Sequence, residues 1–217
     1  MIELKDISKT FGSHRAVDHV SLAIPDHAQV ALLGPSGSGK TTLLRLIAGL
    51  EIPDSGTITM DGRLVSSPAC MVPPSERKIG FIFQSGALWP HMTVAENIRF
   101  ALSDIPVPEQ QERTRPLMER LGIPALADRY PEQISGGEAR RVALARALAP
   151  RPSTLLFDEP LTNLDRALRD DLLNLIVESV KETGSSMLYV THDEYEAETV
   201  AAIIVRFDKG TIRSDVI

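Results

Sequence analysis

Residues 34–41 read Gly-Pro-Ser-Gly-Ser-Gly-Lys-Thr, which combines flexible glycines with one lysine and one threonine. The glycines let the backbone curl so that its N–H groups converge on phosphate oxygens, and a following helix adds its positive end. In this pattern Lys40 reaches the β- and γ-phosphates of a nucleotide, and the Thr41 hydroxyl binds Mg²⁺. The alternative is a glycine-rich turn with an exposed lysine. The predicted nucleotide contacts are Gly34, Pro35, Ser36, Gly37, Ser38, Gly39, Lys40, Thr41 and Thr42.

Two adjacent carboxylates, Asp158 and Glu159, form a second candidate site. They follow the apolar run Leu155–Phe157, which predicts a buried strand that ends at the acids. Open α/β sheets bind ligands at the carboxyl ends of their strands. Asp158 is therefore expected to hold Mg²⁺ through water, and Glu159 to polarise an attacking water. The alternative is a solvated strand end with two ordinary acids.

Apolar runs and glycines locate the elements that must position these groups. Val30–Leu33 predicts a strand buried on both faces, and the helix after the loop runs from Thr41 to Leu50 and ends near Gly49. Helical character is expected over 84–149, with breaks at prolines 106, 108, 116, 124 and 131, and again over 166–182 and 194–201. Further strands are expected at 2–7, 20–24, 57–60, 79–83, 155–157, 187–190 and 203–207, with a loop at 68–75.

Strands that alternate with helices predict an α/β fold with a mainly parallel sheet. We expect one domain over residues 1–217, namely a P-loop NTPase core with an N-terminal antiparallel β subdomain and an inserted helical subdomain at about 85–150. Because the last predicted strand lies close to residue 217, we expect no additional regulatory domain.

Composition narrows the function classes. The chain of 217 residues is 43% hydrophobic and 24% charged, which is ordinary for a globular protein, and its net charge of −6 disfavours nucleic acid as the main partner. The single cysteine, Cys70, allows no intrachain disulfide and fits a reducing compartment. No apolar stretch approaches the roughly 20 residues that span a bilayer, so any membrane role is expected to be peripheral.

A third motif, Ile134-Ser135-Gly136-Gly137-Glu138, opens a helix rich in Ala, Leu and Arg. With the phosphate loop and the acidic pair, in this order along nearly the whole chain, it resembles the nucleotide-binding subunit of ABC transporters. Residues 77–84 and 90–97 are most similar to the importer branch that serves sugars, polyamines, iron or inorganic anions. The resemblance implies an ATPase that uses ATP and Mg²⁺.

The resemblance also implies roles for single residues. Phe11 matches the aromatic that stacks on adenine, and Gln84 matches the glutamine that contacts Mg²⁺ and water and senses the membrane partner. Asp165 matches the loop that crosses to the other subunit, and His192 matches the histidine at the γ-phosphate. The alternatives are a core aromatic, a polar strand end, an N-cap of the next helix and a surface histidine, respectively.

Ser135, Gly136 and Gly137 stand at a predicted helix N-terminus, where a hydroxyl and N–H groups make an anion site. The resemblance implies that two subunits, expected to be identical, pair head to tail and sandwich each ATP between this motif and the partner's phosphate loop. It further implies transmembrane permease subunits, a position at the cytoplasmic face of the membrane and, indirectly, an extracytoplasmic solute-binding protein. Nucleic acid is not an expected partner.

Glu138 and Trp89 are among the positions that depart from the usual family pattern. Glu138 stands where glutamine is commonest, and its carboxylate would weaken closure onto a γ-phosphate unless it points away. Trp89 lies in the segment that docks the permease and is expected to be an exposed anchor, the alternative being a buried core tryptophan. Two other ABC functions stay open: an export or lipid-release ATPase, and a soluble ATPase that acts on DNA or ribosomes.

Overall fold

The computed structural model describes residues 1–213. Three short 3₁₀ turns, Pro74–Glu76, Pro124–Leu126 and Pro131–Gln133, join the longer elements. In chain order the elements are β1 (Ile2–Phe11), β2 (His14–Ile24), β3 (Gln29–Leu33), α1 (Lys40–Ala48), β4 (Ser55–Met60), β5 (Arg63–Ser67), β6 (Cys70–Met71), β7 (Ile79–Ile82), α2 (Val94–Phe100), α3 (Val107–Arg120), α4 (Gly136–Leu148), β8 (Thr154–Asp158), α5 (Arg166–Thr183), β9 (Ser186–Thr191), α6 (Glu194–Val200), β10 (Ile203–Asp208) and β11 (Thr211–Ile212).

These elements fall into two compact units. The first, called here the sheet unit, comprises Met1–Phe81, Ser153–Glu159 and the described residues from Gly184 onward. The second, called the helical unit, comprises Ile82–Pro152 and Pro160–Thr183. The helical unit therefore contains the predicted helical segment and, in addition, helix α5.

The sheet unit contains one mainly parallel sheet and one antiparallel sheet. The first has the strand order β11-β10-β3-β9-β8-β7, and β3 pairs in parallel with both β10 and β9. The second has the order β2-β1-β4-β5-β6. The predicted α/β fold is confirmed. Strand β6, inside the predicted loop, and strand β11, after the expected last strand, were not predicted, because two residues are too few to show an alternation.

The central strand β3 has both faces buried, as its continuous apolar run predicted. Val30 and Leu32 belong to the large core that also holds the buried side of helix α1. Ala31 and Leu33 face the other way and pack with Ala197 of helix α6. Since side chains alternate along a strand, one short run of apolar residues supports a helix on each face of the sheet.

Helix α1, which follows the phosphate loop, is held at its far end by the buried guanidinium of Arg77. This group donates to the carbonyl oxygens of Leu46 (3.3 Å) and Ile47 (2.7 Å) in the last turn, and to that of Val65 (2.9 Å) on strand β5. A cation here interacts favourably with the negative end of the helix dipole, beside the carbonyls of the last turn. Burial lowers the pKa of Arg77 to about 10. The contact fixes the helix that carries Lys40 against the antiparallel sheet.

Two of the proline breaks predicted for the helical unit are wrong. Pro108 lies in the first turn of α3, where a missing N–H is harmless, and Pro116 lies inside the same helix. The helix therefore continues past a residue that cannot donate to the carbonyl four positions earlier. Across residues 1–213, no helix is long and apolar enough to cross a membrane.

Candidate nucleotide site

The backbone between β3 and α1 requires glycine at both of its ends. A Cβ on Gly34 would lie 1.9 Å from the carbonyl oxygen of Phe207, and one on Gly39 would lie 2.0 Å from that of Ala16. Gly39 also adopts a φ of 106°, in the region that favours glycine. Neighbouring backbone therefore leaves no room for a side chain at either position, and the loop shape depends on these two glycines.

Lys40 is buried within the loop that it follows. Its side chain is 3% exposed, and Nζ donates to the carbonyl oxygens of Gly34 (2.7 Å) and Pro35 (2.8 Å). Burial lowers the pKa of Lys40, and the negative charge of Glu159, with Oε1 at 3.5 Å, opposes this shift. The alternative of an exposed lysine in a simple turn is wrong. The ammonium therefore stabilises the loop from inside through two backbone carbonyls, and the carboxylate of Glu159 lies beside it.

The loop encloses a buried hydroxyl that has no partner among the described residues, Ser38 Oγ. Buried polar groups are normally hydrogen-bonded, so an orphan of this kind in a glycine-rich loop fits an anionic ligand. Beside it lies a cavity of about 210 Å³. The cavity is lined by Phe11, His14, Ala16, Gly37, Gly39, Lys40, Thr41, Thr42 and Glu159.

This cavity brings Phe11 to the phosphate loop although the two are far apart in sequence. Phe11 is 46% exposed, so the alternative of a core aromatic is wrong. Lys9 Nζ lies 5.3 Å from the centre of its ring. His14, which sequence reasoning missed, stands opposite Phe11 in the register of β1 and β2. The turn at Gly12 could have revealed it, since a short turn returns the chain to its antiparallel partner.

Thr41 and Asp158 meet across 117 residues of sequence. Thr41 Oγ1 donates to Asp158 Oδ1 at 2.8 Å. Asp158 is buried at the end of β8; burial raises the pKa of its carboxyl, and the hydrogen bond from Thr41 opposes that shift. A solvated strand end is therefore excluded for Asp158. A hydroxyl and a carboxylate side by side are the oxygen ligands that Mg²⁺ prefers.

No group of three or more His, Cys, Asp or Glu side chains within residues 1–213 could hold a metal ion. A magnesium ion at Thr41 and Asp158 would consequently need further oxygens. Because Mg²⁺ usually keeps several waters and binds nucleotide phosphates, these ligands would come from solvent and substrate rather than from a protein cage.

Glu159 lies between Lys40 and His192. Its backbone adopts a φ of 43°, which is uncommon for a residue with a side chain, and its N–H donates to the carbonyl oxygen of Val190 at 3.0 Å. His192 Nδ1 lies 3.1 Å from Glu159 Oε2, and Lys40 Nζ lies 3.5 Å from Oε1. The carboxylate is thus held by a cation on one side and an imidazole on the other, at the mouth of the loop.

The motif at 134–138 forms the N-terminus of helix α4 in the helical unit. Ser135 Oγ accepts from the N–H of Glu138 (3.3 Å), and Glu138 Oε2 accepts from the N–H of Ser135 (2.7 Å). This is a capping box, and its hydrogen bonds lower the pKa of Glu138. The carboxylate therefore turns back onto its own helix.

The two glycines of this motif differ in what surrounds them. A Cβ on Gly137 would lie 2.6 Å from Leu168 Cδ2, whereas a Cβ on Gly136 would meet nothing within 4 Å. Packing within the helical unit therefore explains the glycine at 137. It does not explain the glycine at 136, which is open to an incoming group.

Gln84, Asp165 and Trp89 are the other predicted residues that lie in the helical unit. Gln84 is exposed in the turn after β7. Asp165 Oδ1 accepts from the N–H of Leu168 at 3.0 Å, so this residue does cap the start of α5. Trp89 is 44% exposed and packs edge-on against Phe100 at 5.7 Å, which makes the buried-core alternative wrong. Neither Gln84 nor Asp165 lines the phosphate cavity, whose lining residues all belong to the sheet unit.

Comparison with known protein families matches residues 17–162 to the family described as ABC transporter. Among individual proteins, the Fe(3+) ions import ATP-binding protein FbpC of Photorhabdus laumondii is 45% identical over 213 residues, covering 97% of this chain and 60% of that protein. The sulfate/thiosulfate import ATP-binding protein CysA of Nephroselmis olivacea is 46% identical, covering 97% and 61%. The chain thus spans about three fifths of the length of the curated relatives that it matches.

Solved structures show the same fold. The ATP-binding cassette MJ0796, in a dimeric post-hydrolysis state bound to ADP and Pi, superposes with a TM-score of 0.89 at 29% identity, over 100% of this chain and 98% of that one. The protein cbiO1 from Clostridium perfringens, part of the complex cbiONQ, has a TM-score of 0.84 at 25% identity, over 98% and 86%.

Proposed function

The chain belongs to the ABC transporter family, and we propose that it is an ATP-hydrolysing subunit that drives solute import through a separate permease. The observation that carries this proposal is the grouping of Lys40, Thr41, Asp158, Glu159 and His192 around one glycine-rich loop. These side chains come from the start of α1, the end of β8 and the turn after β9, and they provide a phosphate cradle, two oxygen ligands and a base. A P-loop kinase or GTPase would leave the motif at 134–138 without a role.

The proposed grip on ATP uses both the backbone and side chains of the sheet unit. The N–H groups of the loop and the start of α1 bind the phosphates, assisted by Lys40 and by the orphan hydroxyl of Ser38. Phe11, exposed on the rim of the cavity, stacks on the adenine. The cavity already contains both the aromatic and the phosphate loop, which supports a nucleotide rather than a bare phosphate.

Magnesium is part of the proposal. Thr41 Oγ1 would ligate the ion, Asp158 would hold it through water, and Gln84 would join them in the active state. When bound, Mg²⁺ neutralises charge on the phosphate oxygens. Asp158 must be ionised for this role, and its raised pKa implies that Mg²⁺ affinity begins to fall at a higher pH than for an ordinary aspartate.

We assign the role of general base in hydrolysis to Glu159, which His192 assists. Glu159 Oε2 is within hydrogen-bond reach of the His192 imidazole, so the carboxylate is oriented before any water is engaged. Glu159 accepts the proton of the attacking water, and His192 contacts the γ-phosphate. Lys40 Nζ lies 3.5 Å from the other oxygen of this carboxylate, Oε1.

Two subunits are required in this proposal, and residues 1–217 of each act as one ATPase domain. Ser135, Gly136 and Gly137 of one subunit close onto ATP held by the phosphate loop of the other, and Asp165 lies at the crossing loop. The open space at Gly136 supports an approach by a partner's phosphate. The matched structures of a dimeric cassette support the same assembly.

The permease contact is assigned to the Gln84–Trp89 segment, because Trp89 is a large exposed aromatic. The subunit would then lie at the cytoplasmic face of the membrane, with an extracytoplasmic solute-binding protein acting indirectly. Two relatives whose names specify import of Fe(3+) ions or sulfate/thiosulfate support import over export or lipid release. The net charge of −6 argues against the alternative of a soluble ATPase on DNA or ribosomes.

The Glu159→Gln variant tests the enzymatic proposal. Glutamine keeps the size of the side chain but cannot take a proton, so we expect ATP hydrolysis to fall at least about 100-fold while ATP binding is retained. On size-exclusion chromatography this variant should form a dimer with ATP and stay monomeric without it. Glu194→Gln, an exposed carboxylate on α6, is the matched control. Full turnover in Glu159→Gln would disprove the role of Glu159, and a monomer with ATP would count against the sandwich.

The partner proposal is tested by capturing the tagged protein from native membranes in mild detergent and identifying the proteins that copurify. A polytopic membrane protein that copurifies with an extracytoplasmic binding protein is the expected result. A permease without a binding protein would favour export or lipid release. Ribosomes or DNA-bound complexes as the main companions would favour the soluble ATPase.

A further inference from the structure

A ring of three hydrogen bonds surrounds the turn that carries His192. Thr191 Oγ1 donates to Glu196 Oε2 at 2.7 Å. The N–H of Glu196 donates to Asp193 Oδ1 at 3.2 Å, and the N–H of Asp193 donates to Thr191 Oγ1 at 3.1 Å. These three bonds form a closed ring, and His192 lies in the sequence between two of its members, Thr191 and Asp193.

Glu196 is the anchor of this ring. It is 5% exposed, and its Oε2 also accepts from the hydroxyl of Tyr189 at 3.1 Å. A buried carboxyl group is costly unless its oxygens are hydrogen-bonded. Glu196 therefore ties the first turn of α6 to the last residues of β9 through its bonds to Tyr189 and Thr191.

The position of His192 requires such an anchor because the sheet ends just before it. Thr191 is still held by the sheet, since it stands beside Leu33 in the β3–β9 register and its carbonyl oxygen accepts from the N–H of Gly34 at 3.2 Å. His192 lies beyond the last residue of that register. Its imidazole nevertheless has to meet Glu159 at 3.1 Å.

We propose that Glu196 is a positioning residue for ATP hydrolysis, which holds the His192 turn so that the imidazole stays on Glu159. This inference rests on the proposed roles of Glu159 and His192. Glu196 touches neither ATP nor the attacking water; it acts through Thr191 and Asp193. A small displacement of a catalytic group lowers the rate strongly but leaves substrate binding unchanged. Substitution of Glu196 should therefore lower kcat and leave KM for ATP nearly unchanged.

The first test is the steady-state kinetics of Glu196→Ala and Glu196→Gln. Removal of the carboxylate should lower kcat about tenfold, with KM for ATP within about twofold of the wild type. Glu196→Gln should recover most of the rate, because a carboxamide oxygen accepts from the same two hydroxyls. Glu194→Ala is the matched control, since this exposed carboxylate on the same turn bonds only to Arg206 among the described residues. It should keep the wild-type rate.

Thr191→Val provides a second variant in case Glu196→Ala does not fold. It removes the ring hydroxyl at nearly constant size and leaves the bond between Tyr189 and Glu196 in place. We expect the same loss of kcat as in Glu196→Ala. Tyr189→Phe removes the donor that lies outside the ring and should change kcat by no more than about twofold.

The decisive measurement combines Glu196→Ala with His192→Ala. If Glu196 acts through His192, the double variant should hydrolyse ATP within about twofold of His192→Ala alone, because the two losses are not additive. Hydrolysis by the double variant a further tenfold below that of His192→Ala would overturn the role of Glu196 but leave the role of His192 intact. A tenfold loss of ATP affinity in Glu196→Ala would have the same meaning. A His192→Ala enzyme at the wild-type rate would instead overturn the proposed role of His192, and the inference with it.

Discussion

Helices α1 and α4 both begin at a glycine-rich motif that predicts an anion site, yet their N-termini are built differently. Gly39 caps α1 with no side-chain hydrogen bond, and the first turn of that helix contains no acidic residue. Ser135 caps α4 through its hydroxyl, and Glu138 completes a reciprocal capping box in the first turn. The N-terminus of α1 therefore leaves its backbone N–H groups for a ligand. The N-terminus of α4 instead uses the N–H groups of Ser135 and Glu138 in its own capping box.

This difference assigns separate tasks to the two ends. The start of α1 has no side-chain cap, so its N–H groups and the positive end of its dipole can bind an anion, and it should bind nucleotide within a single chain. The capped start of α4 is stable by itself and includes a carboxylate, so it gains less from an anion. We therefore expect α4 to act only when a second subunit delivers ATP that is already bound.

The largest expected effect comes from the α1 end. Lys40→Ala removes the ammonium that braces the loop and faces the phosphates, so ATP affinity should fall at least about 100-fold, or about 3 kcal/mol. Isothermal titration with ATP measures this directly. Lys181→Ala, an exposed lysine on α5, is the control and should bind ATP as the wild type does. If Lys40→Ala bound ATP as tightly as the wild type, the N-terminus of α1 would not be the nucleotide site of the single chain, and its proposed difference from the N-terminus of α4 would be wrong.

An intermediate effect is expected at Gly136. Alanine fits there without contact and favours the helix, so Gly136→Ala should raise the stability of the fold by up to about 1 kcal/mol. The same methyl group would occupy the space left for a partner's phosphate. ATP-driven dimerisation of a Glu159→Gln background should therefore weaken by about tenfold or more, as measured by analytical ultracentrifugation.

Gly137→Ala is the contrasting variant, because its Cβ would clash with Leu168. Because the Leu168 side chain would have to move to admit this methyl group, Gly137→Ala should gain less melting temperature than Gly136→Ala. If Gly136→Ala dimerised as well as its parent, the glycine at 136 would have no role toward a partner, and the proposed use of the α4 end would fail.

The smallest effect is expected for Glu138→Gln. The amide oxygen can keep the bond to Ser135, so helix α4 should be unchanged, while one negative charge near the incoming phosphate is removed. Because hydrogen bonds lower the pKa of Glu138, this charge is present throughout the neutral range. Dimerisation with ATP should improve about two- to fivefold at low salt, and the gain should shrink in high salt. An unchanged affinity at low salt would show that the carboxylate is turned away from the partner.

The sequence was sufficient for the features that depend on local chemistry. A loop of glycines can be recognised because few other residues allow its backbone, and β3 and β8 can be recognised because a strand buried on both faces must be continuously apolar. The order of the three motifs was enough to indicate the family, and the comparisons confirm it. The capping role of Asp165 was also predictable, since it concerns only the three residues that follow it.

The tertiary structure alone decided the features that depend on distant partners. The prolines of α3 were expected to break it, yet the helix continues, so local propensity did not decide its length. The direction of Glu138, the burial of Arg77 against the end of α1, and the ring around His192 were invisible in the sequence. Side-chain direction and burial are set by the packing of elements far apart in the chain, so residue type and spacing can name the reactive groups but cannot say what holds them in place.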